Sequence, residues 1–291
     1  YSFCGALQAP ESIDNPLKYK FSWSPKGVIM ASKNPAQYKR HGKTIDVDRK
    51  NLFKDVRWIV FDGLGKFEVY PNRDSLSYVE LYDIQESDTV LRGTIRFEGW
   101  SEIFDALKEL DLISYDEIDM SGMTYAGLLK KHLNTTGEDL KAQFAEKFNA
   151  QLGSNLVGAF EFLGYFSNEN IPFEKASPFD VLADQMIKKM MIKEGDRDMV
   201  LMMHIFKTLN KEGKVEIIRS GMVDYGLPDG DTAIARTVAL PAAIAVRLIL
   251  EGKIKITGVH IPILPEIYNP VLNELESMNI KMIDEYGLDN L

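Results

Sequence analysis

The chain has 291 residues, 45% of them hydrophobic and 26% charged, and a net charge of −9. That composition belongs to globular proteins with a sizeable core. The acidic balance argues against a nucleic-acid or anionic-membrane surface, and the single cysteine, Cys4, rules out an intrachain disulfide framework and suits a reducing, cytoplasmic compartment.

Along the chain, Tyr1 to Cys4 reads as a strand. Ser24 before Pro25 is a helix entry, cap then first helical position, for a short helix to about Ser32. Lys43 to Val47, Phe67 to Tyr70 and Asp88 to Phe97 are predicted strands. Gly63-Leu64-Gly65 lacks the third glycine of a dinucleotide fingerprint and leads into a strand instead of a helix. Helical periodicity then covers Ser101 to Leu110, Thr124 to Leu133, Glu138 to Leu152 and Pro178 to Ile192. Ser101 is the expected cap of the first of these, and Gly153 the expected end of the third. Met199 to Phe206 and Val215 to Met222 read as a hairpin turning through Asn210 to Gly213. After Asp231 come a long helix, a strand at Lys253 to Gly258, another helix and a strand at Ile280 to Ile283. The longest apolar run, Ala233 to Leu250, is interrupted by Arg236, Pro241 and Arg247 and does not reach membrane-spanning length. The expected fold class is therefore α/β (α+β), a mixed β-sheet domain with an inserted all-helical subdomain. Its expected boundaries are 1–100 and 193–231 for the sheet domain, 101–192 for the helical insertion and 232–291 for a C-terminal helix-strand segment.

The candidate chemistry lies on the predicted strand through Val90 to Phe97. Alternation puts Arg92, Thr94 and Arg96 on one face and Leu91, Ile95 and Phe97 on the other. Two guanidinium groups flanking a hydroxyl form a receptor for carboxylates, whose geometry the guanidinium fork matches. Arg73 sits in a turn-like stretch with Pro71, Asn72 and Asp74. The plainer alternative is that these arginines pair with surface acids. Cys4 has no histidine in its segment to activate it. His41, His132, His204 and His260 show no metal-ligand spacing, so no metal site is expected, and Met186, Met190, Met191, Met199, Met202 and Met203 read as packing.

The segments Ser2 to Glu11, Asn15 to Pro25, YPNRDS (Tyr70 to Ser75), LRGTIR (Leu91 to Arg96), Arg236 to Ile254 and Pro265 to Glu276 resemble saccharopine reductase, the L-glutamate-forming saccharopine dehydrogenase family. The resemblance reaches both ends of the chain, and the stretch from Glu102 to Lys193 carries none of it. It implies an oxidoreductase that joins L-glutamate to aminoadipate semialdehyde as an imine and reduces it to saccharopine with NADP or NAD. It further implies that this chain is the substrate-binding and dimerisation portion, inactive alone. The nicotinamide cofactor would then sit on a preceding domain, with none expected in this chain, and the C-terminal segment would pack toward that domain. Arg73 and the triplet Thr94, Ile95, Arg96 are implied saccharopine contacts; leucine is more usual in the family at Ile95, where a backbone contact would be unaffected. Cys4 is implied as a wall of the site, and Trp23 as a residue packing along the substrate's methylene chain. Lys20 is left between a carboxylate donor and a solvated lysine, and the catalytic proton donor is unknown. A homodimer is the expected assembly. The competing readings are a carboxyspermidine-type reductase, whose polyamine partner calls for carboxylates in the pocket, and a stand-alone amino-acid-binding module.

Overall fold

The computed structural model describes residues 1–288. In chain order the elements are β1 (Ser2–Gln8), α1 (Pro25–Ala31), β2 (Ala36–Arg40), β3 (Lys43–Val47), β4 (Arg57–Phe61), β5 (Gly65–Pro71), α2 (Ser77–Leu81), β6 (Arg92–Phe97) and α3 (Trp100–Glu109). They continue with β7 (Ile118–Asp119), α4 (Tyr125–Leu133), α5 (Leu140–Lys147), α6 (Asn155–Phe162), β8 (Lys175–Ala176), α7 (Pro178–Met190), β9 (Asp198–Leu209), β10 (Val215–Tyr225), α8 (Leu240–Leu250), α9 (Pro265–Ser277) and β11 (Ile283–Leu288). Seven strands form one mixed sheet in the order β11-β10-β9-β1-β6-β5-β4. Every neighbour pair is antiparallel except β1 and β6, which run parallel with Cys4 opposite Thr94.

The sheet thus closes around two strands from the first third of the chain, with the helical block inserted between β6 and β9. That block is helical apart from the two-residue β7–β8 ladder. Its buried residues, among them Leu128, Phe144, Phe160 and Met186, run without a break into the core around Phe3, Leu7 and Ile95. A second buried cluster lies where Val200 and Met222 of the sheet meet Ile244 and Leu248 of α8 and Val271 and Leu275 of α9.

Several sequence expectations change at their ends, each for a physical reason. Beta-strand β1 runs on to Gln8 because β9 pairs with it residue for residue from Ser2 to Gln8. Ser24 caps α1 as expected, its hydroxyl accepting from the Gly27 N–H at 3.2 Å. The cap of α3 is Gly99, at φ +99°, and Ser101 lies inside the helix. Helix α5 stops at Lys147, where Asn149 turns left-handed at φ +49°, and the expected continuation to Leu152 is coil. Ser154 then caps α6, a helix absent from the sequence expectations. The expected strand at Lys253 to Gly258 is irregular, because the N–H groups of Lys253 and Ile254 fold back onto the Leu248 carbonyl and close the end of α8. The final strand is not Ile280 to Ile283 but Ile283–Leu288: Ile280 is drawn into the second cluster, and the strand pairs with β10 only after it. Just before α8 the helix widens to a π turn at Ala235–Ala239, consistent with Pro241, which has no N–H to give to the Thr237 carbonyl.

One histidine carries a pH prediction. Burial pushes the His132 imidazole below its ordinary 6.5, and its buried Nε2 has no partner among the described residues. Below about pH 6.5 the unfolded chain therefore binds more protons than the fold, so stability is present above that pH and falls as the solution is acidified. Denaturant melts of the wild type at about pH 7.5 and pH 5.5 are expected to show this loss, and His132→Gln is expected to show less of it.

Candidate functional site

The site grows from the two parallel strands. Cys4, Thr94 and Tyr70 are lateral neighbours across β1, β6 and β5, so their side chains share one face of the sheet with Arg92 and Arg96. Tyr19, Trp100 and Phe104 cover this face on one side. On the other side Met202, beside Cys4, packs under α8 and α9. Between the two covers Cys4 stays exposed. Crowding still desolvates its thiol and pushes the pKa up, against the pull of Arg96 and Arg92, so the group is a thiol and not a reactive thiolate at neutral pH.

Arg96 is the unusual residue. It is only 6% exposed, and among the described residues no carboxylate lies within ion-pair distance. Its guanidinium carbon lies 5.2 Å from the Tyr19 ring centre and 5.0 Å from that of Trp100, and one Nη donates to its neighbour's carbonyl, Ile95 O, at 2.8 Å. Its Nε has no partner. The expected partner would be Glu68, directly opposite on β5 and also buried. Both Glu68 oxygens are instead taken by the start of α3, accepting from Gly99 N–H at 2.6 Å and Ser101 N–H at 2.9 Å. The helix terminus, with its unsatisfied N–H groups and positive dipole end, holds the carboxylate and leaves the arginine free.

The other anticipated residues fall into distinct settings. Ile95 is fully buried on the opposite face, so it offers the site only its backbone. Arg92 is satisfied locally, stacking over Tyr78 at 4.3 Å and donating to the Asp74 carbonyl at 3.4 Å. Arg73 is exposed at φ +51°, just past Asn72, whose N–H donates to Arg92 O at 2.9 Å. It therefore stands near the start of β6, about 13 Å along the strand from Arg96. Trp23 is 43% exposed, and its indole N–H donates to the Tyr19 hydroxyl at 3.1 Å, joining it to the Arg96 cover. Lys20 is neither a solvated lysine nor a free donor: it is buried between Asp14 and Asp196, both at 2.8 Å. Sequence reasoning missed Tyr19, Trp100 and Glu68. Trp100 follows directly on the strand end, but nothing in its spacing signals that it folds back over Arg96.

Gly63 and Gly65 take φ +76° and +92° to make a tight turn between β4 and β5, and no helix follows to receive a pyrophosphate. Among the described residues no cluster of ligands could hold a metal ion, and no helix is long and apolar enough to cross a membrane.

The geometry is that of a mixed sheet carrying a buried arginine with no carboxylate within ion-pair distance among the described residues. The comparisons give the chain a family. The family model "Saccharopine dehydrogenase C-terminal domain" matches residues 1–280. The chain is 36% identical over 99% of its length to "Saccharopine dehydrogenase [NADP(+), L-glutamate-forming]" of Saccharomyces cerevisiae, covering 64% of that protein. It is 35% identical to bovine "Alpha-aminoadipic semialdehyde synthase, mitochondrial" over 96% of its length, covering 31% of that protein. A solved structure, apo saccharopine dehydrogenase (L-Glu forming) from Saccharomyces cerevisiae, superposes with a TM-score of 0.89 at 34% identity, over 98% of this chain and 66% of that one. The chain belongs to the saccharopine dehydrogenase family. It spans a little under two thirds of the yeast relative and about a third of the bovine one.

The Glu68 clamp carries a prediction. Glu68→Ala removes two charge-assisted hydrogen bonds from the start of α3 and is expected to cost about 2–4 kcal/mol in denaturant melts. An effect below about 0.5 kcal/mol would show that water replaces the carboxylate at no cost.

Proposed function

We propose that this chain is the substrate-binding portion of an NADP-dependent oxidoreductase that interconverts saccharopine with L-glutamate and aminoadipate semialdehyde. The observation that carries the reading is Arg96, a buried cation for which the fold supplies no counter-charge. Saccharopine has three carboxylates, and a carboxylate would neutralise the guanidinium in a bidentate or Nε-centred contact. In this reading Thr94 contributes its hydroxyl and Ile95 its backbone beside Arg96. Arg73 meets a second carboxylate at the far end of the strand, Cys4 forms the floor and Trp23 flanks the substrate's aliphatic arm. In this reading the cofactor would be held outside this chain, NADPH supplying the hydride for imine reduction and oxidised NADP accepting it in the reverse direction. This chain's own groups bind and orient the substrate through its carboxylates. Self-association as a two-fold homodimer belongs to the same reading, with the free sheet edges at β4 and β11 as the places where a second copy could pair. A polyamine partner is not favoured, because this face of β6 carries Arg92, Thr94 and Arg96 and no carboxylate.

The test is made in the full-length enzyme. Arg96→Met, which keeps much of the packing, and Arg73→Ala are each expected to weaken saccharopine binding by about 1.5–3 kcal/mol, with NADP affinity unchanged. Arg92→Ala is the control, since Arg92 already has Tyr78 and the Asp74 carbonyl as partners. Kinetics in which Arg92→Ala costs more than both other variants, with the fold intact by circular dichroism, would overturn the assignment.

A further inference from the structure

Among the described residues, seven buried side-chain nitrogen or oxygen atoms have no hydrogen-bond partner, and Gln8 Nε2, Arg96 Nε, Trp100 Nε1 and Ser101 Oγ are four of them. This is not a random scatter. Gln8 and Arg96 lie toward the carboxyl ends of β1 and β6, the only parallel pair in the main sheet, and Trp100 and Ser101 open the helix that follows β6. Ligands of α/β sheets gather outside the carboxyl ends of parallel strands.

The first three of these atoms are all donors, and their orientations are fixed by the groups around them. Gln8 Oε1 accepts the Lys20 N–H, so the amide cannot be flipped, and the Nε2 is the end left over. Lys20 follows Tyr19, whose ring packs against both Trp100 and Arg96. The Tyr19 hydroxyl accepts from Trp23 Nε1 at 3.1 Å, which leaves its own proton available. The carbonyl and carboxylate acceptors beside Arg96 are already engaged: Ile95 O takes an Arg96 Nη, and both Glu68 oxygens are held by α3. Three unpaired donors, beside a Ser101 hydroxyl that can play either part, suit an ionised carboxylate, which only accepts and has about four lone-pair sites.

We propose that Gln8 and Trp100 complete the Arg96 site, their side-chain N–H groups donating to the same ligand carboxylate, and that this cationic, donor-rich arrangement selects a carboxylate over a carboxamide. The inference rests on the reading of Arg96 as a carboxylate receptor. Neither residue acts on the reacting atoms; their contribution is affinity and charge selectivity at one end of the substrate.

The test is a nitrogen-15 NMR titration of this chain with glutarate, and with glutaramide as the uncharged isostere. The chain has three tryptophans, and Trp58 on the edge strand β4 is the internal control. Glutarate is expected to shift the Trp100 indole, the Gln8 side-chain amide and the Arg96 Nε–H together and saturably. Trp58 should stay still, and glutaramide should shift none of them. Trp100→Phe, which keeps an aromatic cover but not the N–H, should weaken glutarate binding about tenfold. Movement of Arg96 without Trp100 and Gln8 would overturn this inference and leave the receptor reading standing. No movement at any of the three would overturn both. Equal responses to glutarate and glutaramide would overturn the selectivity.

Discussion

The organisation of the site turns on which positive group wins Glu68. Pairing of β5 with β6 sets Glu68 and Arg96 side by side in the interior, where an ion pair would be the simplest outcome. The start of α3 competes for the same carboxylate with two N–H groups already held in position, and it takes both oxygens. A long flexible arginine would have to give up rotamer freedom to match them. Because the helix wins, α3 is fixed to the sheet, Trp100 is set over Arg96, and the guanidinium is left buried with its charge unanswered.

An uncompensated buried cation is costly, and a fold under pressure for stability alone would replace it with an apolar residue. Here the cost is moderated without being cancelled. The aromatic faces of Tyr19 and Trp100 offer cation–π attraction, and Ile95 O accepts one N–H. None of these neutralises the charge. Contrast Lys20, buried nearby but closed off by Asp14 and Asp196, and Arg236, closed off by Asp224. Those pairs hold segments together, whereas Arg96 retains its demand for an anion. The same face shows why the site is open only in part, since α3 and Tyr19 cover one flank, α8 and α9 the other, and Cys4 lies exposed between.

Much of the architecture was legible in the sequence because it rests on local periodicity and capping. Ser24 before Pro25, the hairpin at Asn210 to Gly213 and the apolar spacing of α4 and α7 all sit where pattern alone puts them. Failures came where a contact that periodicity does not encode decides. The strand expected at Lys253 is coil because the Leu248 carbonyl draws its N–H groups back, and Ile280 leaves the last strand because the second cluster takes it. At the site, alternation along β6 put Arg92, Thr94 and Arg96 on one face, but it treated the two arginines as equals. Only the three-dimensional partners separate them: Asp74 and Tyr78 satisfy Arg92, and Glu68 turns away from Arg96. The family resemblance named the triplet, but the physical reason for its arginine lies in residues more than 25 positions away in sequence as well as in the helix that follows.

The central claim, that Arg96 is held ready for a carboxylate by the loss of Glu68 to α3, is tested most directly by thermal unfolding of this chain in glutarate and in sodium chloride at equal ionic strength. A ligand that binds only the folded state raises the melting temperature by mass action. The account predicts a rise that grows with glutarate concentration, is absent in chloride, and disappears in Arg96→Met. Equal responses to the two salts, or an undiminished glutarate response in Arg96→Met, would contradict it.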